Sequence, residues 1–269
     1  MKKFILLVTF ITAVYLHGAS LKFITLGTGA GYPSMTRENS CNLLQTSKGS
    51  YMIDAGGPVL TSFIRRKLDI NKVRAVFITH MHDDHFGGLT GFLKTRIAKT
   101  IRGKWLGFWP EIWLPDPEAG PLFAKLMSLG NDYKTKDRIK YYTVKKGLFY
   151  DDGFLKVTAI PNKHIPVENG FLPSYCFLIE VEGKKILCTG DLAKDFSDFP
   201  VEAATNADIV LCESTHFDIM DHLETFRKIR PGKLIFNHVA IRNERRFPEF
   251  AAKVNYPVVF AKDGDVFEL

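Results

Sequence analysis

Residues 73–85, VRAVFITHMHDDH, run from an apolar, β-branched stretch straight into three histidines and two aspartates. The first part reads as a buried strand, and HMHDDH at 80–85 reads as the cargo which that strand delivers. Neutral imidazoles mixed with carboxylates are ligands for first-row divalent metals, with zinc the usual match and manganese or iron also suited. In such a loop His80 and His82 share one side, while Asp84 and His85 turn to another. Two sub-sites a few ångströms apart, with a hydroxide between them, are the expectation. The charge of a metal would also account for the adjacency of Asp83 and Asp84. A solvated polar turn is the plainer alternative, but it needs neither the apolar strand before it nor the Phe86-Gly87-Gly88 step into a helix behind it.

The same grammar recurs along the chain. YMID (51–54), VFITH (76–80), ILCTGD (186–191), IVLCE (209–213) and LIFNH (234–238) each end a buried run on one titratable side chain. In open α/β sheets the ligand crevice lies outside the carboxyl ends of the strands. Asp54, His80, Asp191, Glu213 and His238 are therefore expected to converge. Between the runs lie stretches suited to helices: 58–69, 89–100, 121–130 and 245–254. Pro58 and Pro121 suit a first helical turn and Gly130 a stop. Residues 175–191 read as a hairpin turning near Glu182-Gly183-Lys184. Strands mixed with helices predict an α/β protein with helices packed outside sheets.

HMHDDH resembles the HxHxDH signature of the metallo-β-lactamase fold superfamily. The resemblance extends over most of the chain: LGTGAGYP (26–33), MIDAGG (52–57), 162–180, ILCTGD (186–191) and LIFNHVAIR (234–242) are similar to that family's segments, in its order. It implies an αββα sandwich of two packed mixed sheets with helices outside. It also implies two divalent metal ions, one held by His80, His82 and His164 and the other by Asp84, His85 and His238, with Asp191 bridging. A metal-bridging hydroxide would be the nucleophile, because bound metal brings the pKa of water near neutrality. Asp84, beside it, would be placed to accept a proton.

Within the superfamily the details resemble the ribonuclease Z group and its small phosphodiesterase relatives. GTGAGYP followed by Arg37, PSYCFLIE (173–180) and NHVAIR (237–242) carry the likeness, and ADIVLCESTHF (207–217) resembles the His-Glu-Ala-Thr segment. Glu213 matches its glutamate, whereas Cys212 stands in the place of its histidine. His216 and His222 are candidates to replace a further histidine whose Gly-His-Ser-Thr segment is missing. Arg242 matches an arginine beyond the last ligand, suited to a phosphate oxygen or to a surface salt bridge. No long insertion follows His164, so the tRNA-binding arm of that group is not expected. A small or nucleotide-like phosphodiester of an exported compartment is the favoured substrate class, ahead of nucleic acid. A secreted β-lactamase or lactonase, or a metal-binding module without catalysis, are the alternatives. A homodimer is compatible with this reading.

The remaining features set bounds. The chain has 269 residues, 46% of them hydrophobic, enough for one large domain over 21–269. Residues 1–20 combine MKK, the apolar FILLVTFITAVYL and the small-residue HGAS, the layout of a secretory signal peptide. An uncleaved anchor or a first buried strand would be the other readings, and cleavage would leave no membrane span. Cys41, Cys176, Cys188 and Cys212 lack CxxC spacing and read as buried thiols. The net charge of +7 favours anionic partners only weakly. In residues 94–109, five basic residues interleave with Trp105, Phe108 and Trp109. That pattern suits a nucleic-acid or anionic-membrane surface. The favoured reading is the plainer one, an amphipathic helix with a solvated basic face, followed by aromatics that cap the site.

Overall fold

The computed structural model describes residues 21–32, 34–102, 107–129, 138–167 and 170–269. The leader-like segment 1–20 and the proposed helix stop at Gly130 lie outside them. The first sheet contains β1 (Lys22–Gly27), β2 (Cys41–Thr46), β3 (Gly49–Ala55), β4 (Val73–Phe77), β5 (Glu111–Leu114) and β6 (Lys140–Thr143). The second contains β7 (Gly147–Asp151), β8 (Leu155–Pro161), β9 (Tyr175–Val181), β10 (Lys184–Cys188), β11 (Ile209–Ser214), β12 (Lys233–Val239) and β13 (Val258–Phe260). The last strand, β14 (Val266–Glu268), crosses back to the first sheet and pairs antiparallel with β1. The orders are β14-β1-β2-β3-β4-β5-β6 and β13-β12-β11-β10-β9-β8-β7. Both sheets are mixed: β3 to β6 run parallel, as do β10 to β13.

The apolar runs are strands buried on both faces, the pattern of parallel strands covered on each side. One face of each sheet meets the other sheet, where Phe23, Phe77, Phe177, Ile186 and Ile235 share a core. The opposite faces are covered by helices. On the first sheet these are α1 (Val59–Arg65), α3 (Leu89–Arg102) and α4 (Ala119–Ser128), with a short α2 (Asp83–Phe86) ahead of α3. On the second they are α5 (Val201–Ala204), α6 (Leu223–Lys228) and α7 (Ile241–Ala251). The molecule is thus the expected αββα sandwich. Phe77, fully buried between the sheets, illustrates what holds it: truncation of such a phenylalanine to alanine costs about 3–5 kcal/mol.

The hairpin expected at 175–191 joins β9 to β10. Glu182 (φ 51°) and Gly183 (φ 75°) both adopt the left-handed region, which a two-residue turn matched to strand twist requires. Several boundaries differ from the sequence reading. Pro58 occupies the N-cap of α1 rather than its first turn, and α7 begins at Ile241, four residues before the predicted start. All four cysteines are free, buried thiols. Among the described residues no helix is long and apolar enough to cross a membrane.

Two corrections concern residues 94–109, whose segment 103–106 lies outside the described residues. Arg96 is not on a solvated face: it is buried, donates to the Phe108 carbonyl at 2.9 Å, and lies over the Phe108 and Trp109 rings. Nor do Phe108 and Trp109 cap the crevice at the carboxyl ends of the strands. The β4–α3–β5 crossover joins parallel strands, so the chain must return to their amino ends before β5 begins. The aromatics accordingly line a cavity with Arg74 and Glu111, at the start of β4 and β5.

Candidate metal centre

The carboxyl ends of β3, β4, β10, β11 and β12 gather at one rim of the sandwich. Asp54, His80, Asp191, Glu213 and His238 are all buried there. Two are aimed by bulges. On β12 the register jumps from Glu213↔Asn237 to Ser214↔Val239, so His238 has no strand partner and takes φ 47°. On β3 it jumps from Cys41↔Ala55 to Asn42↔Ile53, leaving Asp54 unpaired at φ 58°. A bulge turns one side chain out of the ladder, and the left-handed region costs a non-glycine residue roughly 1–2 kcal/mol.

The hexapeptide divides between strand end and helix. His80 follows β4, His82 is the N-cap of α2, and Asp84 and His85 lie within that single turn. Asp83 is exposed, apart from the cluster. His164 follows β8, in a loop pinned by Asn162, which accepts from the His164 amide at 3.3 Å and donates to the Asp191 carbonyl at 2.9 Å. The ring centroids of His80 lie 4.6 Å from His82, 4.1 Å from His85 and 4.8 Å from His164. His82 Nδ1 and His164 Nε2 face each other at 3.2 Å.

Among the described residues, three sets of donor atoms each lie within 4.8 Å of one another: His80, His82, His164 and Asp191; Asp84, His85 and His238; and Asp191, Glu213, His216 and His238. Their hydrogen bonds show whether a metal fits. His85 Nδ1 donates to Asp54 Oδ2 at 2.8 Å, which turns Nε2 toward Asp191, 3.3 Å away. His80 Nδ1 lies 3.1 Å from the Thr79 hydroxyl. The opposite atoms, His80 Nε2 and His85 Nε2, are buried without a hydrogen-bond partner among the described residues, as are His238 Nδ1 and Asp191 Oδ1. Orphaned buried polar atoms are costly, and these fit divalent ions on either side of Asp191: His80 Nε2 lies 3.7 Å from one Asp191 oxygen, and His85 Nε2 and His238 Nδ1 lie 3.3 and 3.6 Å from the other. The carboxylate behind a ligand imidazole is also the usual means of fixing its tautomer.

Charge in the cluster is strongly coupled. Burial, together with the neighbouring His85, pushes His80 well below the usual histidine range. His85 goes the other way: burial opposes protonation, but Asp191 and Asp54 outweigh it. Burial would raise Asp191, yet His238 and His85 hold its carboxyl well below the usual range.

Beside the cluster Glu213 holds His216. The carboxylate accepts from the amides of Leu192 (2.7 Å), Thr215 (2.8 Å) and His216 (3.0 Å), and from His216 Nδ1 at 2.9 Å. Burial opposes protonation of His216, but the Glu213 hydrogen bond and charge raise its pKa above the usual value. Its ring lies 4.6 Å from His164 and 5.8 Å from His238. His222 is elsewhere: its ring stacks on Phe196 at 4.6 Å, and it belongs to none of the three donor sets. Arg242 is exposed on α7 and donates to the Thr215 carbonyl at 2.7 Å. Of the two histidines offered by the sequence, the structure therefore brings only His216 to the cluster. Thr79 was not anticipated: its amide and hydroxyl both donate to Asp54, at 2.8 and 3.0 Å. Asn162 was missed as well. Neither lies in a motif that marks it, although Thr79 directly precedes the hexapeptide.

Comparison with known proteins places this architecture. The family described as Anti-Pycsar protein Apyc1 matches residues 21–222. Ribonuclease Z of Shouchella clausii strain KSM-K16 is 27% identical over 314 aligned positions, covering 91% of this chain and 96% of that protein. The alignment is longer than this chain, so that protein has stretches with no counterpart here. Among solved structures, the metallo-β-lactamase fold protein YhfI from Bacillus subtilis superposes with a TM-score of 0.74 at 22% identity, covering 93% and 99% of the two chains. The short form of human tRNase Z (ELAC1) gives 0.69 at 24% identity, covering 92% and 98%. Both structural likenesses establish the metallo-β-lactamase fold.

Proposed function

This chain belongs to the family described as Anti-Pycsar protein Apyc1, and we propose that it is a metal-dependent phosphodiesterase with a dinuclear centre. The observation that carries the proposal is the set of orphaned buried atoms on His80, His85, His238 and Asp191, converging at one rim. One ion would be held by His80, His82 and His164, the other by Asp84, His85 and His238, with Asp191 shared between them. Zinc suits the mixture of imidazole and carboxylate. When bound, the ions supply Lewis acidity, acidifying water and drawing charge from a phosphoryl group.

The chain's own residues do the rest. Asp54 and Thr79 fix the His85 ring, and Asn162 fixes the loop of His164. Glu213 commits His216 Nδ1 to itself, so Nε2 is the atom left to hold a proton and deliver it to a leaving oxygen. The Glu213 hydrogen bond and charge, which raise the His216 pKa against the effect of burial, favour the protonated ring.

The likeness to ribonuclease Z supports a phosphodiester as substrate. The short passage from His164 through residues 165–174 to β9 favours a small phosphodiester over folded RNA. An exported location is part of the proposal and rests on residues 1–20; fractionation of cells carrying the full chain tests it. For the chemistry, metal-analysed protein is assayed on bis(p-nitrophenyl) phosphate, cyclic nucleotides, nitrocefin and a lactone. Turnover is expected on the phosphodiesters and lost in Asp84→Ala and His82→Ala, which should still fold. Turnover confined to nitrocefin or the lactone would overturn the assignment.

A further inference from the structure

At the amino ends of β4 and β5, remote from the metal centre, a cavity of about 380 Å³ is lined by Phe108, Trp109, Trp113, Phe149 and Tyr150, together with Arg74 and three carboxylates. Pockets for small molecules are typically about 300–1,000 Å³, mostly apolar or aromatic, with a few polar groups that fix orientation. Six residues of extended chain separate Arg74 from His80, roughly 20 Å at the rise of a strand.

The walls are held rigidly. Trp113 stacks on Tyr142 at 4.6 Å and meets Phe149 at 5.2 Å and Tyr150 at 5.9 Å. Tyr150 donates to Asp152 Oδ2 at 3.2 Å, and Trp113 Nε1 donates to one oxygen of Glu111 at 3.3 Å. The Arg74 guanidinium lies over Phe108 at 4.9 Å, and its Nε has no hydrogen-bond partner among the described residues. Asp152 is 3.5 Å from that Nε. The lining therefore offers aromatic side chains, a cationic donor, and carboxylate oxygens on Glu111 and Asp151, whereas Asp152 is already engaged by Tyr51, Tyr150 and the Phe154 and Leu155 amides.

We propose that this cavity is a second binding site, for a neutral, flat heteroaromatic molecule of the amino-bearing nucleobase or nucleoside class. Such a ring stacks on aromatic side chains, its nitrogens accept from Arg74, and its exocyclic amine donates to Glu111. Among the described residues that line the cavity, one arginine stands against three carboxylates, which disfavours a ligand that carries a phosphate. The proposal is independent of the phosphodiesterase reading, because the cavity shares no residue with the metal centre.

The chain provides its own reporter: two of its three tryptophans, Trp109 and Trp113, line the cavity, so a ligand there should change intrinsic emission. The full chain is titrated with adenosine to about 1 mM while emission is followed, with metal bound and after EDTA treatment. A saturable change is expected in both states, with binding weakened about tenfold in Glu111→Gln and in Arg74→Gln. AMP should bind more weakly than adenosine. The absence of a saturable change, its loss on metal removal, equal binding of AMP, or indifference to both substitutions would overturn the proposal.

Discussion

His216 and Glu213 form a unit in which each residue's fate is separable. Removing the imidazole leaves Glu213 buried, yet its carboxylate still accepts from the Leu192, Thr215 and His216 amides. A buried carboxylate that keeps such partners does not force unfolding. His216→Ala should therefore fold, retain wild-type metal content and lose about 10²–10⁴ in kcat, the usual worth of a positioned proton donor. Glu213→Gln keeps most of the shape but removes the charge that raises His216, and a smaller loss is expected. Elemental analysis beside phosphodiester kinetics checks both. Because Glu213 and His216 also fall within a donor set with Asp191 and His238, a fall in metal content would instead make His216 a ligand. His222→Ala, by contrast, should leave kcat unchanged, since its ring packs on Phe196.

Single elements place the ligands, and α2 is the most constrained of them. A Cβ on Gly56 would come within 1.7 Å of the Asp84 carbonyl oxygen, so a side chain there must displace the turn that carries Asp84 and His85. Gly56→Ala should lose metal content and activity together while the far-ultraviolet circular dichroism of the sandwich persists; undiminished metal content would refute this role. The turn between β7 and β8 offers a pH test. Burial would raise the Asp152 carboxyl, but hydrogen bonds from Tyr51, Tyr150 and the Phe154 and Leu155 amides outweigh burial and hold it below its usual value. A depressed folded pKa contributes stability above the unfolded value of about 4, and that contribution is lost as pH falls through the lower folded value. Asp152→Asn should thus destabilise at pH 7 and progressively less toward pH 3, as urea unfolding across that range would show. Such features explain what the sequence reveals and what it hides. The buried runs of β3, β4, β11 and β12 are apolar along their length and stand out. In contrast, β6 and β7 are half-exposed and β14 is three residues long, so none carries a clear period. The bulges at Asp54 and His238 are mismatches between partner strands, a property no local stretch encodes. The burial of Arg96 likewise depends on Phe108 and Trp109, beyond the end of its own helix.

On the scale of the whole molecule, the centre draws on both halves of the sandwich. His80, His82, Asp84 and His85 come from the first sheet and its helix, whereas His164, Asp191 and His238 come from the second. Backbone bonds already join the halves at this rim: the Tyr175 amide donates to the Thr79 carbonyl at 3.1 Å, and that of Val239 to Thr28 at 2.9 Å. A metal that binds only the folded arrangement adds its binding free energy to these links, and its removal leaves buried imidazoles and carboxylates unsatisfied. At a free metal concentration one hundred times the Kd, one site stabilises by about 2.7 kcal/mol. For a domain of this size that is a rise in Tm of roughly 5–10 °C. Calorimetry of the EDTA-treated chain should therefore show a lower Tm, restored by zinc in proportion to the metal bound. In Asp191→Asn, whose carboxylate is shared by two donor sets, zinc should restore much less. An unchanged Tm in protein shown by elemental analysis to be metal-free would mean that the rim is held by its backbone bonds alone, and that the ligands are preorganised without the ion.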